Sequence, residues 1–586
     1  MRPVIARRAG AAVLAAGLAA AFLPAGLAAA SSHAPAASLG HEPAAGLHLG
    51  SARLGPLTAT ALTATALTAP AGLPSKARQI KVLTAALAKM RANYKTLANE
   101  WEPGPVDVFD YNIGALWRKG IDGAGTTVAV IEGWNFPQIG SVVASFDKAL
   151  GLPNPRITTI YPSGDGKLPK TCPPGMQALG SYGSCSAWGG ELILDVLSAH
   201  LMAPYAKIVI SVTPADSQIT DDAASQVAPP EMMQALEKIS ARHLANVISI
   251  SDGQAELTFS HPPEQVTAQD PGELSAAAAG IPVLVGTGDC NVVQALPELN
   301  SPCTKVTAGR ATAAWDDSPW VTAMGGTTPN FSATGQRLGS DPVWNVGGEF
   351  GEGAGFSAIY KRPSYQNGVA GITRSRWRSV PDLVMDSVNG TSEAGPLMNG
   401  ILALATQLNH GHNVGPINPV LYSVLGPAGA RDGIVDVVDG NDTYHLGSTT
   451  VKGFTAGRGF DVATGWGTIN AAKFVPALVA ATRAAHEDAG PRGQARRDLS
   501  ALEHGIRLSS GVIGRGKTAR LTAGDFLPGH PVVVRINGKV VATLTASAHG
   551  TVSYRIDPAA LGLRAGKHVI TLSSLLLTEK AVFNTR

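Results

Sequence analysis

Four short apolar runs constrain this chain more than any other feature: Thr126-Thr-Val-Ala-Val-Ile131, Lys207-Ile-Val-Ile-Ser-Val212, Val247-Ile-Ser-Ile-Ser251 and Ile281-Pro-Val-Leu-Val285. They are continuously apolar rather than alternating, and helical stretches separate them. A strand of that kind is buried on both faces, so the region from about 104 to 483 is expected to be α/β, a doubly wound parallel sheet with helices on both sides. Ligands of such sheets sit beyond the carboxyl ends of the strands. Asp252 and Asp289 both follow such ends, which makes Asp289 a candidate on topology alone.

At 586 residues the chain exceeds one core. Residues 1–30 read as a secretory signal: Arg2, Arg7 and Arg8 precede an apolar run from Ala9 to Phe22, and Ala28-Ala-Ala30 offers small residues for cleavage. Residues 31–103 form a low-complexity leader followed by a single helix over Ser75–Glu100. Beyond the α/β region, 484–504 reads as a charged linker. In 505–586 the period becomes two, with a hairpin expected at Asn537-Gly538, and a small all-β (Ig-like) sandwich is expected there. It carries no charged cluster, so a spacer or a surface-binding module, touching a surface or polymer, is the reading for it.

Charged residues make up 15% of the chain, the net charge is +3 and no Lys/Arg block occurs, which argues against a nucleic-acid partner. No later apolar span is long enough for a membrane helix. Export leads to an oxidising compartment, so the four cysteines are expected as two disulfides, Cys172 with Cys185 and Cys290 with Cys303, local pairing being one of three connectivities. The expected location is extracellular.

Within Gly189-Gly-Glu-Leu-Ile-Leu-Asp-Val-Leu-Ser-Ala-His200, Glu191 and Asp195 stand one helical turn apart on an otherwise apolar helix. Two carboxyls so placed repel when both are ionised, and burial among apolar neighbours requires a shared proton or a cleft. A solvent-exposed acidic face is the bland alternative. Asn389-Gly-Thr-Ser-Glu-Ala-Gly-Pro396 places Ser392 after a glycine turn at the start of a buried helix, where the helix N-terminus favours developing negative charge, although such a serine is also an ordinary N-cap.

In order, Gly190-Glu-Leu-Ile-Leu-Asp-Val196, Gly286-Thr-Gly-Asp289, Pro319-Trp-Val-Thr-Ala-Met-Gly-Gly-Thr-Thr328, Gly355-Phe-Ser357 and Gly390-Thr-Ser392 resemble the sedolisin family, the serine-carboxyl peptidases of subtilisin-like fold. The resemblance, kumamolisin-like in detail, runs from about Thr126 to Asn470. It implies a secreted acid endopeptidase that acts on proteins or peptides. Ser392 would be the nucleophile, Glu191 its general base, Asp195 the group orienting Glu191 and Asp289 the oxyanion partner, with Glu132 as an accessory acid. It also implies one structural Ca2+, held by Asp436 and Asp461 carboxylates and by the Val437, Gly457 and Gly459 carbonyls. A carboxylate is a weaker base than imidazole, which suits lower pH. His200, the nearest candidate for a histidine base, lacks the expected glycine context and reads as structural.

The chain departs from the pattern at Asn389, which replaces a glycine, at Glu393, where a small residue is usual, at Asp252, where a tryptophan is usual, and in a shortened 381–389 segment. Glu393 either adds a carboxyl beside the nucleophile or projects to solvent. A full prodomain is not recognisable. The competing readings are a catalytically impaired scaffold that serves as a secreted binding protein, and a neutral subtilisin-like peptidase.

Overall fold

The computed structural model describes residues 73–163, 166, 168, 171–172, 185–213, 230–296, 303–485 and 490–586. The signal and the leader up to residue 72 lie outside them. Seven parallel strands form the central sheet: β1 (Thr127–Glu132), β2 (Ile157–Ile160), β3 (Lys207–Val212), β4 (Val247–Ile250), β5 (Val283–Gly286), β6 (Thr322–Thr327) and β7 (Leu383–Asp386). Their order is β7-β6-β5-β4-β1-β3-β2. The chain thus winds outward from β1 in both directions, and the loops that diverge there open a crevice at the carboxyl edge. β1, β3, β4 and β5 are the four expected strands. β2 is a half-exposed edge, and β6 carries Gly325-Gly326, a poor strand signal. Gly325 is needed because a Cβ there would stand 2.6 Å from Glu352 Oε2.

Two 18-residue helices cross beside the sheet, Cys185–Met202 and Thr391–Leu408. Gly400 lets them touch, since a Cβ there would lie 2.5 Å from Ala199 O. Asn399 Nδ2 donates to Ala129 O at 2.9 Å and Ser249 Oγ at 3.0 Å, which pins the second helix to β1 and β4. The core on this side joins Leu192, Val196, Leu397, Ile401, Val128 and Ile210. Burying such side chains contributes about 1.5–3 kcal/mol each.

The expected single helix over Ser75–Glu100 is two, Lys76–Ala92 and Tyr94–Glu100. Asn93 breaks it: its side chain donates to Lys89 O at 3.0 Å, the local bond with which asparagine competes against helix continuation.

The charged stretch expected as a linker is folded over Pro491–Glu503. Proline at the first helical position favours that start. Ala495 is buried against Leu274 and Ala277, while Arg492 Nε and Arg496 Nε each donate to Ala278 O at 3.2 Å. The arginines thereby satisfy a terminal carbonyl of helix Asp270–Ala279 and oppose its negative end.

Beyond it, a three-stranded and a five-stranded sheet share a core that includes Leu521, Val534, Ile556, Leu572 and Phe583. Asn537 (φ 50°) and Gly538 (φ 80°) turn the expected hairpin between Pro531–Ile536 and Lys539–Thr545. This unit is docked on the α/β body: Leu576 is buried with Met232, Met233 and Leu236, and Gln234 Nε2 donates to Leu575 O at 2.8 Å. Cys172–Cys185 and Cys290–Cys303 are both bonded. Among the described residues, no helix is long and apolar enough to cross a membrane.

Candidate active site

Helix Cys185–Met202 carries Glu191 and Asp195 to the carboxyl edge of the sheet. Asp195 is fully buried, and Glu132, the last residue of β1, is buried beside it. Neither Glu132 oxygen receives a hydrogen bond from a conventional donor. The Glu132 and Asp195 carboxyls therefore pair by sharing a proton; burial and the Glu191 charge hold both well above the usual carboxylate range, the Asp195 charge adding to the rise of Glu132 while the Glu132 and Ser251 bonds oppose that of Asp195. Asp252 is likewise raised by burial; it accepts Gly253 N at 2.8 Å and feels the charge of Glu191.

Glu191 is pushed up to about 7, chiefly by burial, with the Asp289 charge adding to it. The side chains of Ser392 and Ser251 oppose that shift by favouring the ionised carboxylate. Ser392 is only partly buried, so its hydroxyl meets the acid on one side and the open crevice on the other.

The local structure around Ser392 follows from two backbone facts. Gly390 has φ 98°, and a Cβ there would stand 2.6 Å from Asp289 Oδ2, so only glycine fits the turn into the helix. Pro396 has no N–H to donate to the carbonyl four residues back, which belongs to Ser392. Ser251 Oγ lies 3.2 Å from that carbonyl and 3.0 and 3.1 Å from the Asp195 oxygens. It bridges the serine helix and the acid helix. The sequence does not single out Ser251, because a serine one residue past a strand looks like any loop serine.

Asp289 lies across from this group. Its Oδ1 accepts Thr391 N at 2.8 Å and Thr391 Oγ1 at 3.0 Å, and Thr391 Oγ1 in turn accepts Gly288 N at 3.0 Å. Burial raises the Asp289 pKa, while the Thr391 bonds oppose the rise. The Cys290–Cys303 bond closes the loop immediately after it. The structure thus brings Glu132, Glu191, Asp195, Asp289 and Ser392 into one cluster, and Glu393 leaves it. Glu393 is fully buried on the far side of the helix turn with Glu102, Asp107 and Asp386, so it neither joins the serine nor projects to solvent. His200 pairs through Nε2 with Asp147 Oδ1 at 2.8 Å inside the core, the structural role expected.

The third predicted group lies in one loop system. Asp461 Oδ2 accepts Gly457 N at 2.8 Å, Asp461 Oδ1 accepts Thr464 N at 2.9 Å, and Asp436 Oδ2 accepts Gly459 N at 3.0 Å. Val437 is fully buried behind them, and Gly457 and Gly459 have open space where a Cβ would be. Burial pushes Asp461 up to about 6. Two carboxylates around a glycine loop with no Cβ in the way make a donor set that fits a hard cation.

No family model matches the chain. Kumamolisin from Bacillus sp. (strain MN-32) is 27% identical over 389 residues, covering 62% of this chain and 61% of that protein. Sedolisin from Pseudomonas sp. (strain 101) is 27% identical over 378 residues, covering 60% and 57%. Over about three fifths of its length the chain is thus similar to these two proteins. Mouse tripeptidyl-peptidase 1 is 32% identical over 184 residues, or 26% of this chain and 30% of that protein. A solved Pseudomonas sedolisin, a serine-carboxyl proteinase complexed with two molecules of pseudo-iodotyrostatin, aligns at 25% identity and TM-score 0.49 over 61% of this chain and 94% of that one. The chain thus spans only about three fifths of the length of the two curated sedolisin relatives it matches.

Proposed function

We propose that this protein is a member of the sedolisin family, a secreted serine-carboxyl endopeptidase, active in acid, that cleaves proteins or peptides through an acyl-enzyme on Ser392. The observation that carries this reading is the partly exposed Ser392 hydroxyl against the half-buried Glu191, with Asp289 opposite. Serine is a poor nucleophile until a base accepts its proton. Glu191 takes the proton from Ser392 Oγ as that oxygen attacks the substrate carbonyl, then gives it to the departing amine. Asp195, which shares a proton with Glu132 and is held by Ser251, orients Glu191 and stabilises it in each state. Asp289, protonated, donates a hydrogen bond to the oxyanion; a carboxylic acid does this only while its site keeps it neutral. Water then releases the acyl group, with Glu191 again as base.

Glu191 and Asp289 must together hold one proton. With one proton each they lack a base, and with none they lack a donor. The rate therefore follows a bell whichever group titrates higher, and its alkaline limb falls as the last proton leaves, near the Glu191 value of about 7. The shared requirement supports an acid enzyme over a neutral subtilisin-like one, and the intact cluster speaks against an impaired scaffold. The decisive experiment is a casein digest from pH 3 to 8 with the wild type and Ser392→Ala. An active Ser392→Ala protein, or a wild-type profile that peaks above 7, would sink the proposal.

For the loop at 436–461 we propose one structural Ca2+, with Asp436 and Asp461 supplying carboxylates and Val437, Gly457 and Gly459 supplying carbonyls. Bound there, the ion would neutralise the two acids and tie the two loops together.

A further inference from the structure

Glu102, Asp107, Asp386 and Glu393 converge at one point: one carboxylate oxygen from each lies within 4.8 Å of all the others. They come from different parts of the chain. Glu102 follows helix Tyr94–Glu100, and Asp107 lies in helix Pro105–Asp110. Asp386 ends β7, and Glu393 directly follows Ser392. Asp107, Asp386 and Glu393 are all fully buried.

Three buried oxygens in this group, Asp107 Oδ1, Asp386 Oδ2 and Glu393 Oε1, receive no hydrogen bond from an N–H or hydroxyl donor; Asp107 bonds to the Asp386 and Glu102 carboxyls, and the second oxygens of the three acids accept Gly104 N, Val388 N and Asn389 N. Their electrostatic surroundings are acidic: the charges acting most on Asp386 are Glu393, Asp107 and Glu102, and those acting most on Glu393 are Glu102 and Asp107. An isolated buried carboxylate costs several kcal/mol after relaxation, so four together need protons or a cation. The cluster also serves no step in the proposed reaction. Glu393 faces away from Ser392 although it is the next residue.

We propose that Glu102, Asp107, Asp386 and Glu393 form a divalent-cation site for Ca2+, separate from the loop at 436–461, that clamps the segment 102–107 onto the first turn of the serine helix. Calcium binds oxygens at about 2.3–2.6 Å, so two ligands on one ion stand no more than about 5 Å apart, in keeping with the observed spread. An all-carboxylate set without imidazole or thiolate selects hard ions. Magnesium demands a tighter octahedron and retains waters, which suits a flexible four-carboxylate set less well.

The test counts ions in the full-length protein, stripped with chelator and dialysed against calcium at pH 7. The wild type should hold two, Asp107→Asn/Glu393→Gln one, and Asp461→Asn one. Loss only in Asp461→Asn, with the double variant binding as many ions as wild type, overturns this site and leaves the loop site standing. Loss only in the double variant does the reverse. Both substitutions are nearly isosteric and remove repulsion. Should the double variant still fail to fold, Glu393→Gln alone should weaken one calcium-binding phase at least 10-fold, and an unchanged phase overturns the proposal. Magnesium binding as tight as calcium in the same phase would overturn the choice of ion.

Discussion

Two groups of buried acids meet the serine helix through adjacent residues, and they differ in what surrounds them. At Ser392 the carboxyls of Glu191, Asp195 and Asp289 face hydroxyls and amides: Ser251, Thr391 and Ser392 itself. At Glu393 the carboxyls of Glu102, Asp107 and Asp386 face one another. Donors placed among acids fix which oxygen carries the proton, and that is what proton transfer to and from a serine needs. The oxygens that face only other carboxyls, Asp107 Oδ1, Asp386 Oδ2 and Glu393 Oε1, have protons or a cation to offset their charge. The same side chain on one helix turn serves different chemistry according to the donors beside it.

The contrast breaks most directly at the donor-rich group. Ser392→Ala should lower kcat/KM by roughly 10⁶-fold, and Glu191→Gln by roughly 10⁴-fold, measured on a chromogenic peptide at the acid optimum. Asp289→Ala should cost roughly 10²–10³-fold, as for other oxyanion donors. Asp289→Asn keeps a donor that does not titrate, so its rate should no longer fall as pH rises through about 7, the Glu191 value. A retained alkaline limb in Asp289→Asn would remove Asp289 from the oxyanion site.

Stability should respond to pH in the same sense in both groups. Asp107, at about 6, and Asp386 and Glu393, held well above the carboxylate range, are raised mainly by burial. Their unfolded values are about 4. The fold therefore binds protons that the unfolded chain has lost, and stability is full below about pH 4 and declines as pH rises through the folded values. In chelator, the thermal midpoint at pH 8 should lie below that at pH 5. Glu393→Gln should recover part of the loss at pH 8 and change little at pH 5; an equal shift at both would point to packing instead.

The smallest effect is expected at the loop of 436–461. Asp461→Asn should remove the loop site's share of the calcium-dependent stability, about 2.7 kcal/mol when calcium is at 100 times its Kd, while kcat of the folded protein stays near wild type. A calcium-independent melting curve in both proteins would refute the loop site.

Much of this architecture is visible in the residues alone. Val247–Ser251 and Ile281–Val285 read as buried strands because their apolar runs are unbroken, and Glu191 with Asp195 stands out because nothing structural explains them on an apolar helix. Asn537-Gly538 declares its turn by the positive φ that both residues accept. β6 is hidden by Gly325-Gly326, whose purpose is close approach by Glu352, a contact about 26 residues away. Ser251 is hidden because its role, replacing the hydrogen bond that Pro396 cannot make, exists only once two helices meet. The Glu102–Glu393 group is hidden for the same reason, since its four acids are nearly 300 residues apart at the extremes. Helix Pro491–Glu503 looked like a linker because its mean polarity is high; one small face around Ala495 suffices to bury it.

That helix also bears on survival. A peptidase's own tethers are the peptide bonds held at highest local concentration around its active site, and cleavage usually enters at exposed, weakly structured tips. Winding residues 491–503 into a helix, with two arginines tied to Ala278, withholds the extended backbone that a cleft must grip. Under the proposed activity, residues 491–503 are thereby a poor substrate for neighbouring copies of the same molecule.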